Sequence, residues 1–443
     1  MNGNTRAGSD PREELAYSLG VQACLWGRPL IEYALTTARS ALADGARING
    51  FRYFDDLKDA DSRFVVTPNN VSIDGYGEAV LDEPLVISVP AIDSARWYIV
   101  QVSDFFDEIV SDIGGYQGAA PGLYVLTGPD HQGPIPYGAR QIPVRTTRAA
   151  LGLRVFTAGT ADLDAARAVQ RSFRAMPLSV FQRDGLASDW SGLPQAGNQP
   201  VFEPAGPEEF RTLEHLGFAM HHYLSVNEDF ADPFIVQLRQ IGLTVRDGFA
   251  WDALDDASRR GLVRAVTAEA EITRWAYAES ATVVDGWRYT SATGRAGHNW
   301  ALRAGFVQNV LGANVPEQLV YPNAAVDADG ESLVGERSYT LRFAPGALPP
   351  ASVLWNISMY DEGEFFVHND FHRYSIGSTT DGLTQDPDGG LTLVIQHEAP
   401  EDTSNWLPAP ADGSFNLTCR LYGAETPFLD GSWRIPPVRR AGS

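Results

Sequence analysis

The sequence predicts an α+β protein in which two antiparallel β regions flank a helical middle segment and follow an N-terminal helix. Three observations predict it. Short β-branched and aromatic runs, separated by turn residues, fill 63–157; apolar residues recur at helical spacing through 206–280; and β-rich runs return from 283 to the end. A chain of 443 residues is too long for one ordinary core and fits two or three domains.

Residues 1–9 read as a disordered lead. Asp10-Pro11 followed by Glu13 and Glu14 is a helix start: a capping side chain, proline at the first helical position and acid in the first turn. The helix is expected to run to about Leu42 with a bend near Gly27 and Pro29. Its apolar residues lie on several faces (Leu15, Val21, Leu25, Trp26, Leu30, Ile31, Leu35), so it is expected to pack inside the protein. FVVTPN, EPLVISVPA, RWYIVQVSDFF, GLYVLTGP, RQIPVRT and LGLRVFT then read as antiparallel strands of a sandwich or barrel. Residues 161–182 begin as a helix that breaks before Pro177, and the Gly/Pro/Gln-rich stretch 183–206 reads as a linker or long surface loop. Periodicity predicts helices over 206–225, 231–247 and 255–280. From Val283, WRYT, ERSYTLRFAP, ASVLWNISMYD, LTLVIQHEAP and FNLTCRLYG predict a second antiparallel sandwich. The implied division is 12–182, a linker and helical segment at 183–282, and 283–440. No internal repeat makes the two β regions copies of each other in the sequence.

A net charge of −22 argues against nucleic acid or an anionic membrane surface as partner, since both would repel the chain. Cys24 and Cys419, the two cysteines, read as buried thiols; a disulfide framework or zinc finger would need more. The N-terminus shows no apolar stretch behind a basic one, and no run of 18 apolar residues occurs. The expected location is the cytoplasm. Composition leaves a homo-oligomer open.

Two sets of segments carry a family pattern. The first is FVVTPNN (64–70), PLVISVPAID (84–93), RWYIVQVSDFF (96–106), GLYVLTGPDHQG (122–133) and DLDAARAVQ (162–170). It resembles the domain of unknown function numbered 1254. The second runs from GANVPEQLVYPNAAVDADGESLVGERSYTLRFAPGALPP (312–350) through WNISMYD, NDFHRYSIGS, IQHEAP, NWLPAP and FNLTCRLYG to LDGSWRIPPV (429–438). It is similar to the domain of unknown function numbered 1214. The resemblance implies an N-terminal β-sandwich, a helical middle and a C-terminal jelly-roll-like sandwich, and it implies no established reaction. The chain departs from the family frame TPN-x-D-T-x-Y, because Thr67-Pro68-Asn69-Asn70 is followed by Val71-Ser72 and the acid is missing there; Asp74 is a candidate replacement. Asn369, Arg373 and Tyr374 match the second frame, whereas His368, Asp370 and His372 stand where uncharged residues are expected.

In a strand, His368, Asp370 and His372 would share one face. With His397, the pair His368/Asp370 would form the two-histidine, one-carboxylate set of a non-haem iron oxygenase, set against the reading of a polar strand end. In HLGFAMHHY, His215 and His222 lie about 10.5 Å apart along a helix, too far for one zinc ion at bonds of about 2.1 Å. G-x-S-x-G, Ser-x-x-Lys and nucleotide-cradling glycine motifs are absent from the sequence. What remains is an aromatic and amide set. Trp355, Tyr360, Tyr374 and Trp406 supply faces for stacking, while Asn369, Asn405 and Arg373 supply directional hydrogen bonds, the composition of a pocket for a neutral or anionic small molecule. The same residues would equally serve as sandwich core and structured turns. The expectation is a protein that binds a small organic molecule, as a hydrolase or lyase without an organic cofactor. The alternatives are a non-catalytic ligand- or carbohydrate-binding protein and a metal-dependent oxygenase using His368, Asp370 and His397.

Overall fold

The computed structural model describes residues 10–42, 45–63 and 66–442. The lead at 1–9 and the first two residues of FVVTPN lie outside the described residues. Helix α1 (Pro11–Ala41) starts as expected: the Asp10 side chain accepts from the Arg12 N–H, and Pro11 occupies the first turn. It passes through Pro29 without ending. Buried side chains from Ala16 to Thr37 wrap most of its circumference, because it packs on α3 (Arg211–Tyr223), α5 (Asp256–Glu279) and α6 (Trp300–Asn309). Gly27 permits the approach of α3, since a Cβ there would overlap the Leu216 side chain. Helix α2 (Leu163–Ser172) lies elsewhere, on the N-terminal β region.

Three expectations for the middle of the chain are corrected. The helix predicted over 231–247 is only Pro233–Leu238, labelled α4 here; Gly242 and Gly248 take positive φ, which ends the helical turn and closes a small hairpin of Leu243–Thr244 with Gly248–Phe249. Helix α6 falls inside the span read as β-sandwich. The stretch 183–206 is irregular, yet it is anchored rather than loose: Gln195 is buried and donates to Glu78, and Gln199 is buried, donates to Thr37 and accepts from Arg148.

Besides short flanking strands in the larger sheet, the N-terminal β region contains β1 (Ser72–Val80), β2 (Leu85–Val89), β3 (Tyr98–Asp104), β4 (Ile109–Gly114), β5 (Gly122–Thr127), β6 (Arg140–Pro143), β7 (Arg148–Phe156) and β8 (Arg174–Pro177). The C-terminal region likewise contains β9 (Asn323–Ala324), β10 (Tyr339–Phe343), β11 (Ala351–Asp361), β12 (Ser375–Gly377), β13 (Leu391–Gln396), β14 (Trp406–Pro408), β15 (Phe415–Ala424) and β16 (Arg439–Arg440). In each region a larger and a smaller sheet feed one buried cluster. Ile73, Val100 and Leu153 of the larger N-terminal sheet meet Leu85, Ile87 and Leu126 of the smaller; Ile357, Leu417 and Cys419 meet Leu341, Phe343 and Leu393 in the same manner. The pairing is not wholly antiparallel. Strands β5 and β6 run parallel, as do β13 and β14.

The two regions are copies in topology. The larger N-terminal sheet contains the order β1-β7-β3-β4 and the smaller β8-β2-β5-β6. Adding eight to every number gives β9-β15-β11-β12 and β16-β10-β13-β14, the orders observed in the C-terminal region. Each pairing keeps its direction, including the parallel one. The absence of a repeat in the sequence therefore does not carry over to the structure. Side-chain alternation and turn chemistry are satisfied by many residue sets, so one topology survives without matching letters.

Candidate functional site

The larger sheets each bury one face in their own core, and their other faces are polar. On the N-terminal sheet, alternation puts Asp74, Tyr76 and Glu78 of β1, Ala150, Gly152 and Arg154 of β7, and Gln101 and Ser103 of β3 on that second face. On the C-terminal sheet the matching face carries Asn356, Ser358 and Tyr360 of β11 and Asn416, Thr418, Arg420 and Tyr422 of β15, all buried. The two faces meet. Trp97 packs edge-on against Tyr422 with centroids 5.3 Å apart, and Val71, Leu319, Leu354 and Tyr422 form one buried cluster across the junction.

The segment Thr67-Pro68-Asn69-Asn70 straps the junction. Arg420 donates to the Thr67 carbonyl at 2.7 Å, and the Tyr360 hydroxyl donates to the Pro68 carbonyl at 2.5 Å. The Ser375 hydroxyl meets Asn70 Oδ1 at 2.7 Å. Asn69 Oδ1 accepts from the Val71 and Ser72 N–H groups, which turns the strap into β1. Asp74 does supply an acid two residues beyond Ser72: it is buried, paired with Lys58 and hydrogen-bonded by the Tyr76 hydroxyl at 3.2 Å.

Three rows cross the N-terminal face. The row Glu78–Ala150–Ser103 lies under the helical layer, where the Tyr33 hydroxyl meets Ser103 Oγ at 2.9 Å. The row Asp74–Arg154 lies under the loop of Asn314 and Tyr321. Between them runs Tyr76–Gly152–Gln101, and there the cover stops. A Cβ built on Gly152 meets no atom within 4 Å, although β7 is the central strand of the sheet. Tyr76 keeps 40 % of its surface accessible, yet burial pushes its phenol pKa up. An accessible ring and bare backbone in the middle of a sheet leave this row open between the helical layer and the loop.

Two arginines border this region. Arg154 donates to Asn314 Oδ1 at 2.8 Å, and Asn314 in turn donates to Gln101 Oε1 at 2.8 Å. Arg420 donates to Ser358 Oγ at 2.9 Å and to the Thr67 carbonyl. All these acceptors are neutral: among the described residues neither guanidinium forms an ion pair, whereas nearby Lys58 is paired with Asp74 and Arg148 with Glu78. Both arginines act on the same phenols. Burial raises the pKa values of Tyr321 and Tyr422, and Arg154 and Arg420 oppose the rise at each. Asn356, the cross-strand neighbour of Arg420, is 2 % exposed and its Nδ2 has no partner among the described residues. A surface groove of about 800 Å³ lies elsewhere, near Leu123, Arg171, Arg174 and Phe181, and its Arg171 is already paired with Asp55.

The family descriptions fit this division of the chain. "Protein of unknown function (DUF1254)" matches residues 48–177, and "Protein of unknown function (DUF1214)" matches 318–426. The chain is a DUF1254–DUF1214 protein. It is similar in structure to the VPA0106 protein from Vibrio parahaemolyticus, with a TM-score of 0.74 at 19 % identity over 96 % of this chain and 100 % of that one. An uncharacterised protein from Burkholderia cenocepacia aligns over 96 % of this chain and 93 % of its own at 12 % identity, with a TM-score of 0.42. No protein of curated function matches. Among the described residues no helix is long and apolar enough to cross a membrane.

In the DUF1214 region the residues singled out from sequence separate into three groups. Trp355 lies in the core against Phe343, with centroids 5.4 Å apart. Asn369, Arg373, Asn405 and Trp406 are tied to backbone: Asn369 closes the turn onto Arg373, Arg373 donates to the Thr403 and Trp406 carbonyls, Asn405 bridges Thr384 and Thr392, and the Trp406 indole donates to Gln396. Tyr360 and Tyr374 stack on either side of Phe366, and Tyr360 alone of the seven reaches the seam, its ring 5.6 Å from the Arg420 guanidinium.

The stretch FFVHNDFHRYSIGS corrects the strand reading. Residues 367–374 form a turn, His372 takes a positive φ of 49°, and β12 begins only at Ser375. Alternation therefore does not apply to His368, Asp370 and His372. The three oxygenase ligands are not assembled either: exposed His368 faces Asp61 at 3.4 Å, His397 Nδ1 lies 3.1 Å from the Ala409 carbonyl, and no group of three His, Cys, Asp or Glu side chains among the described residues could hold a metal. Both thiols are buried as expected, and burial pushes Cys24 up to about 12, so neither suits a nucleophile.

Sequence reasoning missed Arg154, Arg420, Gly152 and Tyr76. A signal was present in the strand ends themselves. Arg154-Val155-Phe156 and Arg420-Leu421-Tyr422 both place arginine, an aliphatic residue and an aromatic ring at the close of an apolar run.

Proposed function

We propose that this chain binds a small organic anion in the seam between its two larger sheets, over Gly152, and that each β region is a two-layer, jelly-roll-like sandwich whose spare face forms one wall of that seam. The observation that carries the reading is the pair of guanidinium groups, Arg154 and Arg420, held in the junction by neutral acceptors alone. A buried charge without a counter-ion is costly, and a ligand carboxylate relieves that cost while accepting directional bonds from the planar fork. Tyr76, Tyr321 and Tyr422 supply faces for an apolar or aromatic body, and Gln101 and Asn314 supply amide groups. Should the bound molecule also react, the Tyr76 hydroxyl is the group positioned to pass a proton, because it is hydrogen-bonded to the Asp74–Lys58 pair.

The experiment uses Gly152→Leu. Its φ is unexceptional and space is open above it, so the new side chain fills the cleft without disturbing the sheet. Benzoate, as a simple aromatic carboxylate, is titrated calorimetrically into the native chain and the variant. The expected result is binding to the native chain, at least a tenfold loss in Gly152→Leu, and an unchanged melting temperature. Equal affinity in both would remove the seam as the binding place.

A further inference from the structure

The topological repeat can be aligned residue by residue. Arg154 of β7 pairs with Ile99 of β3, whose partner in β4 is Gly114. Arg420 of β15 pairs with Asn356 of β11, whose partner in β12 is Gly377. The same offset equates Val100 with Ile357, Leu153 with Cys419, and Tyr98 with Trp355, all buried. The two glycines test the alignment independently. A Cβ on Gly114 would run into the carbonyl oxygen of Tyr98, and a Cβ on Gly377 would run into that of Trp355, its equivalent. One steric demand therefore recurs at one position in both copies.

Under this alignment Arg154 and Arg420 are the same position of the repeated unit. Each projects from the central strand of its larger sheet, away from its own core and into the shared junction. Neither has a carboxylate within ion-pair distance among the described residues. Lys58 is paired with Asp74, and Arg295 with Glu317. Asp112, on the row of Gly152, is hydrogen-bonded to Gln318 and is favoured as a carboxylate by both Arg295 and Arg154. Each copy thus contributes one guanidinium bonded to neutral groups alone, with the unpartnered Asn356 Nδ2 beside Arg420. Resting on the seam reading above, we infer that the ligand is a molecule with two separate anionic groups on one carbon skeleton, one received at Arg154 and the other at Arg420, with the tyrosines between them covering its middle. A dianion of this kind gives each guanidinium a direct ion pair, whereas a monoanion leaves one of them bonded to neutral acceptors alone.

The test compares matched probes on the full chain by titration calorimetry: straight-chain dicarboxylates from succinate to suberate and terephthalate, each against the monocarboxylate of equal length, with inorganic phosphate as a compact dianion. The expected result is at least tenfold tighter binding of one dicarboxylate than of its monocarboxylate partner. That ratio should fall to near one in Arg154→Met and in Arg420→Met, and recover in part in Arg154→Lys and Arg420→Lys, which also serve if a methionine variant fails to fold. Equal binding of mono- and dicarboxylates would overturn this inference and leave the seam reading standing. Phosphate binding as tightly as the best dicarboxylate would also overturn it, since one compact anion would then suffice. No binding of any of these anions would overturn both.

Discussion

Arg420 in the penultimate strand of the C-terminal region donates to the backbone carbonyl of Thr67, 353 positions earlier, at 2.7 Å. This bond and that of Tyr360 to Pro68 fasten the first β region to the polar face of the second. Removing the donors strands buried carbonyls. Arg420→Leu should cost about 1.5–3 kcal/mol and Tyr360→Phe about 1 kcal/mol, read as lower midpoints in urea. A more stable Arg420→Leu would mean that relief of the buried charge outweighs the strap.

Within the helical layer, Arg28 of α1 makes two bonds to Glu269 of α5, at 3.0 and 2.6 Å, with the carboxylate buried. Arg28→Met alone should destabilise by about 3–5 kcal/mol, because it leaves Glu269 buried without its counter-ion, with the Thr273 hydroxyl still donating to it. Arg28→Met combined with Glu269→Leu should recover most of that loss. A double-mutant cycle in urea checks both numbers; additive losses would show that the two side chains are not coupled.

Acid should weaken the fold through His215 and His222. Burial is the main cause that lowers each to about 4, whereas an unfolded histidine titrates near 6.5. Between these values the unfolded chain binds the extra protons, so stability falls as pH drops from about 6.5 to 4. His215 stacks flat on Phe202, with centroids 4.3 Å apart. His215→Phe preserves that contact and should flatten the stability–pH curve in this window. An unaltered slope would exclude His215 as its source.

Asp107 works in the opposite sense. Burial raises it to about 7 against the bonds it accepts from the Gly312 N–H and the Tyr33 hydroxyl. Its folded pKa lies above its unfolded one, so its contribution is full below about pH 4 and is lost as pH rises through 7. Asp107→Asn should remove this loss, leaving the variant relatively more stable at pH 8 than at pH 4 by thermal denaturation.

Two glycines in the sheets should respond in opposite directions. Gly152→Ala meets open space and should be neutral or stabilising by up to about 1 kcal/mol. Gly377→Ala drives a methyl group into the Trp355 carbonyl and should cost about 1–3 kcal/mol. Calorimetric melting of both variants measures the contrast.

Much of the architecture was legible in single residues. Asp10, Pro11 and the two glutamates announce α1 because capping is local chemistry. The strands announce themselves through β-branched and aromatic runs bounded by turn residues, although Tyr98–Asp104, whose alternation in sequence suits a half-buried strand, is buried on both faces. The hairpin after α4 was not legible, since the glycines that bend it sit inside a pattern of helical period. The seam was illegible for another reason. Its members come from β1, β3, β7, β11 and β15, and only register shows that Gly152 lies beside Tyr76 or that Arg154 and Arg420 are equivalents. The tight cluster of His368, Asp370 and His372 drew the eye by spacing alone, and a turn with a left-handed residue at His372 undid the geometry that spacing implied.

The two walls of the seam are built on one topology yet carry different residues. Gly152 stands on one where Thr418 stands on the other, at the position two before each arginine. Open space lies above Gly152, whereas the equivalent position in the second copy carries a side chain, so the two walls are not interchangeable and a molecule lying between them would meet different surroundings at either arginine.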